Sequence, residues 1–121
     1  MKAEIRLSRD ATEFPIAEGC FIQEVANDAG DPHVSISRAR VPPGVATEWH
    51  RLQGIEERYV IVSGRGSVEV GDLPATEVTA GDVVRIPADM RQRITNIGVG
   101  DLVFWCVCSP RFVQSAYRSN T

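Results

Sequence analysis

Pro43-Gly44-Val45-Ala46-Thr47-Glu48-Trp49-His50-Arg51-Leu52-Gln53-Gly54-Ile55-Glu56-Glu57-Arg58-Tyr59-Val60-Ile61-Val62-Ser63-Gly64-Arg65-Gly66 holds two short segments separated by a glycine turn and closed by Ser63-Gly64-Arg65-Gly66. The segments Thr47–Leu52 and Glu57–Ser63 are rich in β-branched and aromatic residues and too short for a helix, so they read as strands. The same texture continues in both directions. Further strands are predicted at Phe21–Ala26, Val34–Val41, Gly66–Val70, Val83–Ile86, Arg91–Asn96 and Leu102–Ser109. Turn signals fall between them, among them Asp28-Ala29-Gly30-Asp31-Pro32, Pro42-Pro43-Gly44, Gly71-Asp72-Leu73-Pro74, Ala80-Gly81-Asp82, Pro87-Ala88-Asp89 and Gly98-Val99-Gly100-Asp101. Turns recurring every ~8–12 residues between short strands point to an all-β sandwich or barrel. No stretch sustains a 3.6-residue apolar period, and helix is expected only as a short turn near Ala11–Phe14 or Gln114–Tyr117.

Composition narrows the function classes. The 121 residues include 13 basic and 16 acidic ones, a net charge of −3, which argues against a nucleic-acid partner. The longest uncharged apolar run, around Leu102–Ser109, is far short of the ~20 residues a membrane-spanning helix requires. The start, Met1-Lys2-Ala3-Glu4-Ile5-Arg6, has no apolar core of a signal peptide. Three cysteines, an odd number, are expected as reduced thiols in a cytoplasmic protein. Tyr59-Val60-Ile61-Val62 and Leu102–Val107 are apolar on both faces. A barrel covers only one of those faces, so a homodimer is expected.

Strand alternation selects the candidate site. Glu48, His50 and Leu52 share one face, opposite Thr47, Trp49 and Arg51; Glu57, Tyr59 and Ile61 share another, as do Gln92, Ile94 and Asn96. Polar groups mixed with apolar ones on an inward face suit a ligand-holding interior. Arg38 and Arg40 share a face that is expected to look inward and to need a carboxylate.

Gly44, five residues, His50, then Glu57 and, six residues on, Gly64 resembles the first signature of the cupin superfamily. Gly81, five residues, Pro87, then Gln92 and Asn96 resembles the second. The likeness is to the small single-domain cupins. It implies an antiparallel double-stranded β-helix (jelly-roll) barrel as one domain over residues 1–121, with the first motif at 44–64 and the second at 81–96. The family's second histidine position holds Leu52, its third holds Gln92, and the glycine two after the motif-two proline is Asp89. His33, the other histidine, matches no ligand position. A three-histidine or two-histidine-one-carboxylate iron site therefore cannot be assembled from motif positions.

What the resemblance leaves is His50, Glu57 and Gln92 as ligands of a divalent ion (Mn²⁺, Fe²⁺, Ni²⁺ or Zn²⁺, with Mg²⁺ also suited to the oxygens), and Glu48 or Tyr59 to move a proton. The bland alternative is a buried His50–Glu57 pair, itself able to transfer protons. Tyr59 also reads as core, Trp49 and Trp105 as outer-face cover, Glu56 as solvated, and Cys106 and Cys108 as inert thiols. Arg111, beyond the last long strand, reads as a solvated turn residue or as a contact for an anionic ligand. Two functions follow: a metal-assisted isomerase or lyase acting on a sugar or a hydroxy or keto acid, or a small-ligand-binding barrel without turnover. A scaffold with a filled interior is the third reading.

Overall fold

Alternation builds two facing sheets. The structure, a computed structural model, describes residues 1–119. Its strands are β1 (Phe14–Pro15), β2 (Phe21–Ala26), β3 (Ser35–Val41), β4 (His50–Leu52), β5 (Glu56–Ser63), β6 (Gly66–Val70), β7 (Thr76–Val78), β8 (Val83–Ile86), β9 (Gln92–Asn96), β10 (Leu102–Ser109) and β11 (Tyr117–Ser119). One sheet runs β1-β2-β3-β10-β5-β8 and the other β11-β4-β9-β6-β7, with antiparallel pairing throughout. From β3 onward the chain passes back and forth between the sheets, except at the β6–β7 hairpin, as in a double-stranded β-helix, and the all-β jelly-roll expectation holds.

Between the sheets, every second side chain is buried. Glu57, Tyr59 and Ile61 of β5 point inward, as do Val68 and Val70 of β6, Val84 and Ile86 of β8, and Gln92, Ile94 and Asn96 of β9. Ile94, Leu102 and Val41 are sealed from solvent; a fully buried aliphatic side chain of this kind contributes ~1.5–3 kcal/mol. Asn96 is buried without penalty because all its groups are used. Its Nδ2 donates to the carbonyls of Val41 and Gly100, both at 2.8 Å, and its Oδ1 accepts from the Gly98 N–H at 2.9 Å. The Gly64 turn joins β5 to β6 at φ +90°, and an added Cβ would meet the Asp101 carbonyl oxygen at 2.5 Å.

Some expectations need correction. The segment Thr47–Leu52 pairs as a strand only from His50, so its alternation breaks and Thr47 turns inward. There the Thr47 hydroxyl accepts from the Ile94 N–H at 3.0 Å. Arg38 and Arg40 face outward, since Ala39 and Val41 take the inward positions of β3. Arg40 needs no interior carboxylate: it pairs with Glu13 at 2.8 Å and lies 4.2 Å over the Phe21 ring. Trp49 does cover the outer face of the smaller sheet, beneath the guanidinium groups of Arg91 and Arg93. The helical turns are Ser8–Asp10, earlier than expected, and Gln114–Ala116.

Candidate functional site

A cavity of about 170 Å³ lies between the sheets, floored by Ala39, Tyr59, Phe104, His50 and Leu52 and rimmed by Phe14, Glu24, Phe112 and Gln114. His50 opens β4 directly opposite Gln92 of β9. Its side chain is 3% exposed, and its Nδ1 lies 2.7 Å from the Glu48 backbone carbonyl. A carbonyl only accepts, so Nδ1 carries the proton and Nε2 presents a lone pair. Tyr117 of β11 stacks on the imidazole, ring centroids 5.1 Å apart and 14° from parallel. Burial pushes the His50 pKa down, partly opposed by the bond to the Glu48 carbonyl, so the ring is held neutral.

The sequence reading missed Glu18. It sits in the turn between β1 and β2, where the Gly19 N–H bonds the Ile16 carbonyl and the Ile16 N–H bonds the Cys20 carbonyl. Its own carbonyl accepts from the Glu48 N–H at 3.0 Å, which fastens the turn beside β4. The Glu18 Oε1 ends 3.7 Å from His50 Nε2, with the side chain 13% exposed. Burial, reinforced by Glu57 and Glu48, pushes its pKa up to about 8. The only local signal was a glycine turn ahead of the first long strand; nothing there marks a carboxyl folded inward.

Glu57 of β5 is 8% exposed. The Cys108 thiol reaches its Oε2 at 3.7 Å, while Oε1 is buried without a hydrogen-bond partner. Burial pushes the Glu57 pKa up to about 7; the Gln92 amide and the thiols of Cys108 and Cys106 counter this in part, yet none makes a well-formed bond to Oε1. Tyr59 lines the cavity, but its hydroxyl donates to Gln92 Oε1 in the opposite sheet. The two side chains form a buried tie across the core. Glu48, expected beside His50 on the strand face, is half-buried and does not line the cavity, because the strand has not yet begun at its position. Leu52 packs with Ile55, Cys108 and Ala116. Cys20, Cys106 and Cys108 also line the cavity, unpaired and with thiol pKa values raised chiefly by burial, which makes them poor nucleophiles. Arg111 faces a separate surface pocket.

This donor set does not fit the divalent ion that the motif resemblance implies. Gln92 Oε1, the atom that would bind the ion, is taken by Tyr59. Among the described residues, no three His, Cys, Asp or Glu side chains come together as a metal-holding group.

The cupin domain family matches residues 37–108. Over 78 residues the chain is 36% identical to the uncharacterised protein MJ1618 of Methanocaldococcus jannaschii; this covers 64% of the chain but only 62% of that protein, less than two thirds of its length. Its fold is similar to that of Pac13 from Streptomyces, a nucleoside dehydratase solved with uridine, at a TM-score of 0.80 and 18% identity over 98% of this chain and 91% of that one. KdgF from Halomonas is similar at a TM-score of 0.79 and 16% identity, over 90% of this chain and 96% of that one. The two solved structures share the fold alone at such identities, whereas the family match spans more than half of the chain and both motif regions: the protein belongs to the cupin family.

Proposed function

We propose that the cavity binds a small molecule and that Glu18 and His50 move a proton on it, the chemistry of an isomerase or a lyase. The observation that carries this is the Glu18 Oε1 to His50 Nε2 separation of 3.7 Å inside the cavity. That gap is too long for a direct hydrogen bond, and a substrate atom set to one side of the line joining the two groups can reach both. His50 Nε2 is a neutral base whose orientation is fixed by the Glu48 carbonyl and the Tyr117 ring. Glu18 keeps its proton at neutral pH and can give it to a leaving or carbonyl oxygen. No step runs through a metal ion. The dehydratase Pac13 shows that a protein of this fold can carry out an elimination of this general kind.

Proton transfer to carbon leaves an isotopic record. Sugars, nucleosides and hydroxy or keto compounds that raise the melting temperature are incubated in D₂O with the protein and analysed by mass spectrometry. Wild type is expected to exchange a carbon-bound hydrogen or to release product, and His50→Gln to do neither. A ligand that binds without exchange supports the second reading, a binding barrel without turnover. That reading draws on Leu52 and Gln92 standing where the motif has histidines.

We further propose that the protein is a cytoplasmic homodimer joined through the outer face of the larger sheet. Val62 (44% exposed) and Val83 (57%) lie there with Val60 and Trp105, on strands whose inward faces are already filled. Light scattering at micromolar concentration is expected to give twice the chain mass, and Val62→Glu/Val83→Glu to give the monomer; a monomeric wild type overturns this. Among the described residues, no helix is long and apolar enough to cross a membrane.

A further inference from the structure

We infer that the cavity selects an organic ammonium ion and rejects carboxylate and phosphate ligands. This rests on the reading of the cavity as a small-molecule site and names the ligand class that site takes.

The ionisable oxygen and nitrogen groups facing the cavity are those of glutamates and one neutral imidazole, beside the hydroxyls of Ser35, Ser37, Tyr59 and Tyr117. Glu18, Glu24 and Glu57 line it, and none of its described lining residues is Lys or Arg. Glu57 is 8% exposed, with Oε1 unpartnered. His50 adds a lone pair at Nε2, because Nδ1 is committed to a backbone carbonyl. Of the arginines next in sequence to lining residues, Arg40 pairs with Glu13 and Asp101, Arg51 with Asp89, and Arg58 with Ser109 and Glu56, while Arg38 and Arg111 are not among the residues lining the cavity. A buried carboxylate without a counter-charge is costly, and here the protein supplies no cation of its own. Without a ligand, burial keeps a proton on Glu18 and in part on Glu57; a cationic ligand supplies the counter-charge that lets both ionise.

Spacing and surroundings decide which kind of cation. A divalent metal ion draws its donors to about 2.0–2.6 Å from a single point, and the described residues form no such cluster. An alkylammonium group instead spreads three N–H donors at about 2.8 Å each, so its acceptors can stand apart. Much of the rest of the lining is apolar or aromatic, including Ile16, Ile22, Phe14, Phe104 and Phe112, and suits the hydrocarbon body of such a ligand. An anion would meet three glutamates and no fixed cation. The acid substrates expected from the sequence are therefore disfavoured.

Three ligands of nearly the same shape test this: benzylammonium, benzyl alcohol and benzoate, measured at neutral pH by calorimetry and by shift of the melting temperature. Benzylammonium is expected to bind at least about tenfold tighter than benzyl alcohol, the margin of a charge-assisted hydrogen bond over a neutral one, with benzoate weakest. In Glu57→Gln and Glu18→Gln that margin is expected to shrink towards unity. Equal binding of benzylammonium and benzyl alcohol, or tightest binding of benzoate, overturns the inference and leaves the small-molecule site standing. Stabilisation by Mn²⁺ or Ni²⁺ but not by benzylammonium overturns it in favour of a metal centre. Failure of all three organic ligands and both metals overturns the inference and the small-molecule reading together. The wild-type comparison decides even if a variant fails to fold.

Discussion

Asp89 sits at φ 67°, in the left-handed region, at the position where the second cupin motif has glycine. The turn geometry that glycine normally supplies is kept, and aspartate tolerates it better than most residues because its side chain is short and polar. The Asp89 N–H still donates to the Leu52 carbonyl at 2.9 Å, which ties this turn to the end of β4. The contact to Arg51 at 3.7 Å is solvent-exposed and adds little. Asp89→Gly is therefore expected to stabilise the fold by about 1 kcal/mol through relief of backbone strain, and Asp89→Val to destabilise it by more. Urea unfolding of the two variants checks the sign; a less stable glycine variant would remove the strain argument. The motif position was legible in the sequence as a departure, whereas its left-handed backbone was not. At the same scale His50 and Glu57 were legible as inward-facing groups, because β alternation and motif spacing both point to them. Glu18 was not, since a turn residue has no periodicity to declare its face.

Between elements, the tie from Tyr59 on β5 to Gln92 on β9 links the two sheets through the core. Both residues are buried, so breaking the tie from one side strands the other group. Tyr59→Phe leaves Gln92 Oε1 without its donor and is expected to cost about 1–3 kcal/mol. Tyr59→Phe combined with Gln92→Leu is expected to cost less than the sum of the two single changes, since no stranded polar group remains. A double-mutant cycle with additive losses would show that the tie carries no coupling. The strands themselves were largely legible: β2, β6, β8 and β10 occupy the expected residues. Thr76–Val78 and Tyr117–Ser119 were not, because three-residue strands are too short to show a period of two. They exist because a neighbouring strand offers unpaired backbone groups: β6 to Thr76–Val78, β4 to Tyr117–Ser119.

For the whole molecule, the buried ionisable groups set how stability follows pH. Burial pushes the folded pKa values of Glu18 and Glu57 to about 8 and about 7, above the ordinary glutamate value of 4.5. Their stabilising contribution is complete below the unfolded pKa and is lost as pH rises through the folded values. His50 has the opposite sign. Its depressed folded pKa gives stability that is present above 6.5 and lost as pH falls through the folded pKa. With two carboxyls against one imidazole, the melting temperature of the ligand-free protein is expected to decline from about pH 5 to about pH 9. Glu18→Gln/Glu57→Gln is expected to flatten that decline, because neither amide titrates. A decline of the same slope in the double variant, followed by differential scanning calorimetry, would place the pH dependence on other groups. Glu13 and Asp28, whose pKa values are lowered by Arg40 and by the Gly30 N–H respectively, act at lower pH and do not enter this window.

The sequence alone determined the all-β class, most of the strands, the two cupin motifs and the loss of two motif histidines, because each is written in local alternation, turn chemistry or spacing. Only the tertiary structure decided that Gln92 is tied to Tyr59, that Glu18 closes on His50, and that the arginines of β3 face away from the cavity. Those facts depend on which strands face each other across the core and where alternation breaks at a strand's first residue. Local patterns do not encode such long-range choices. The charge of the cavity follows from them: its glutamates come from an early turn and from strands of the larger sheet, and their missing counter-charge shows only once the fold has brought them together.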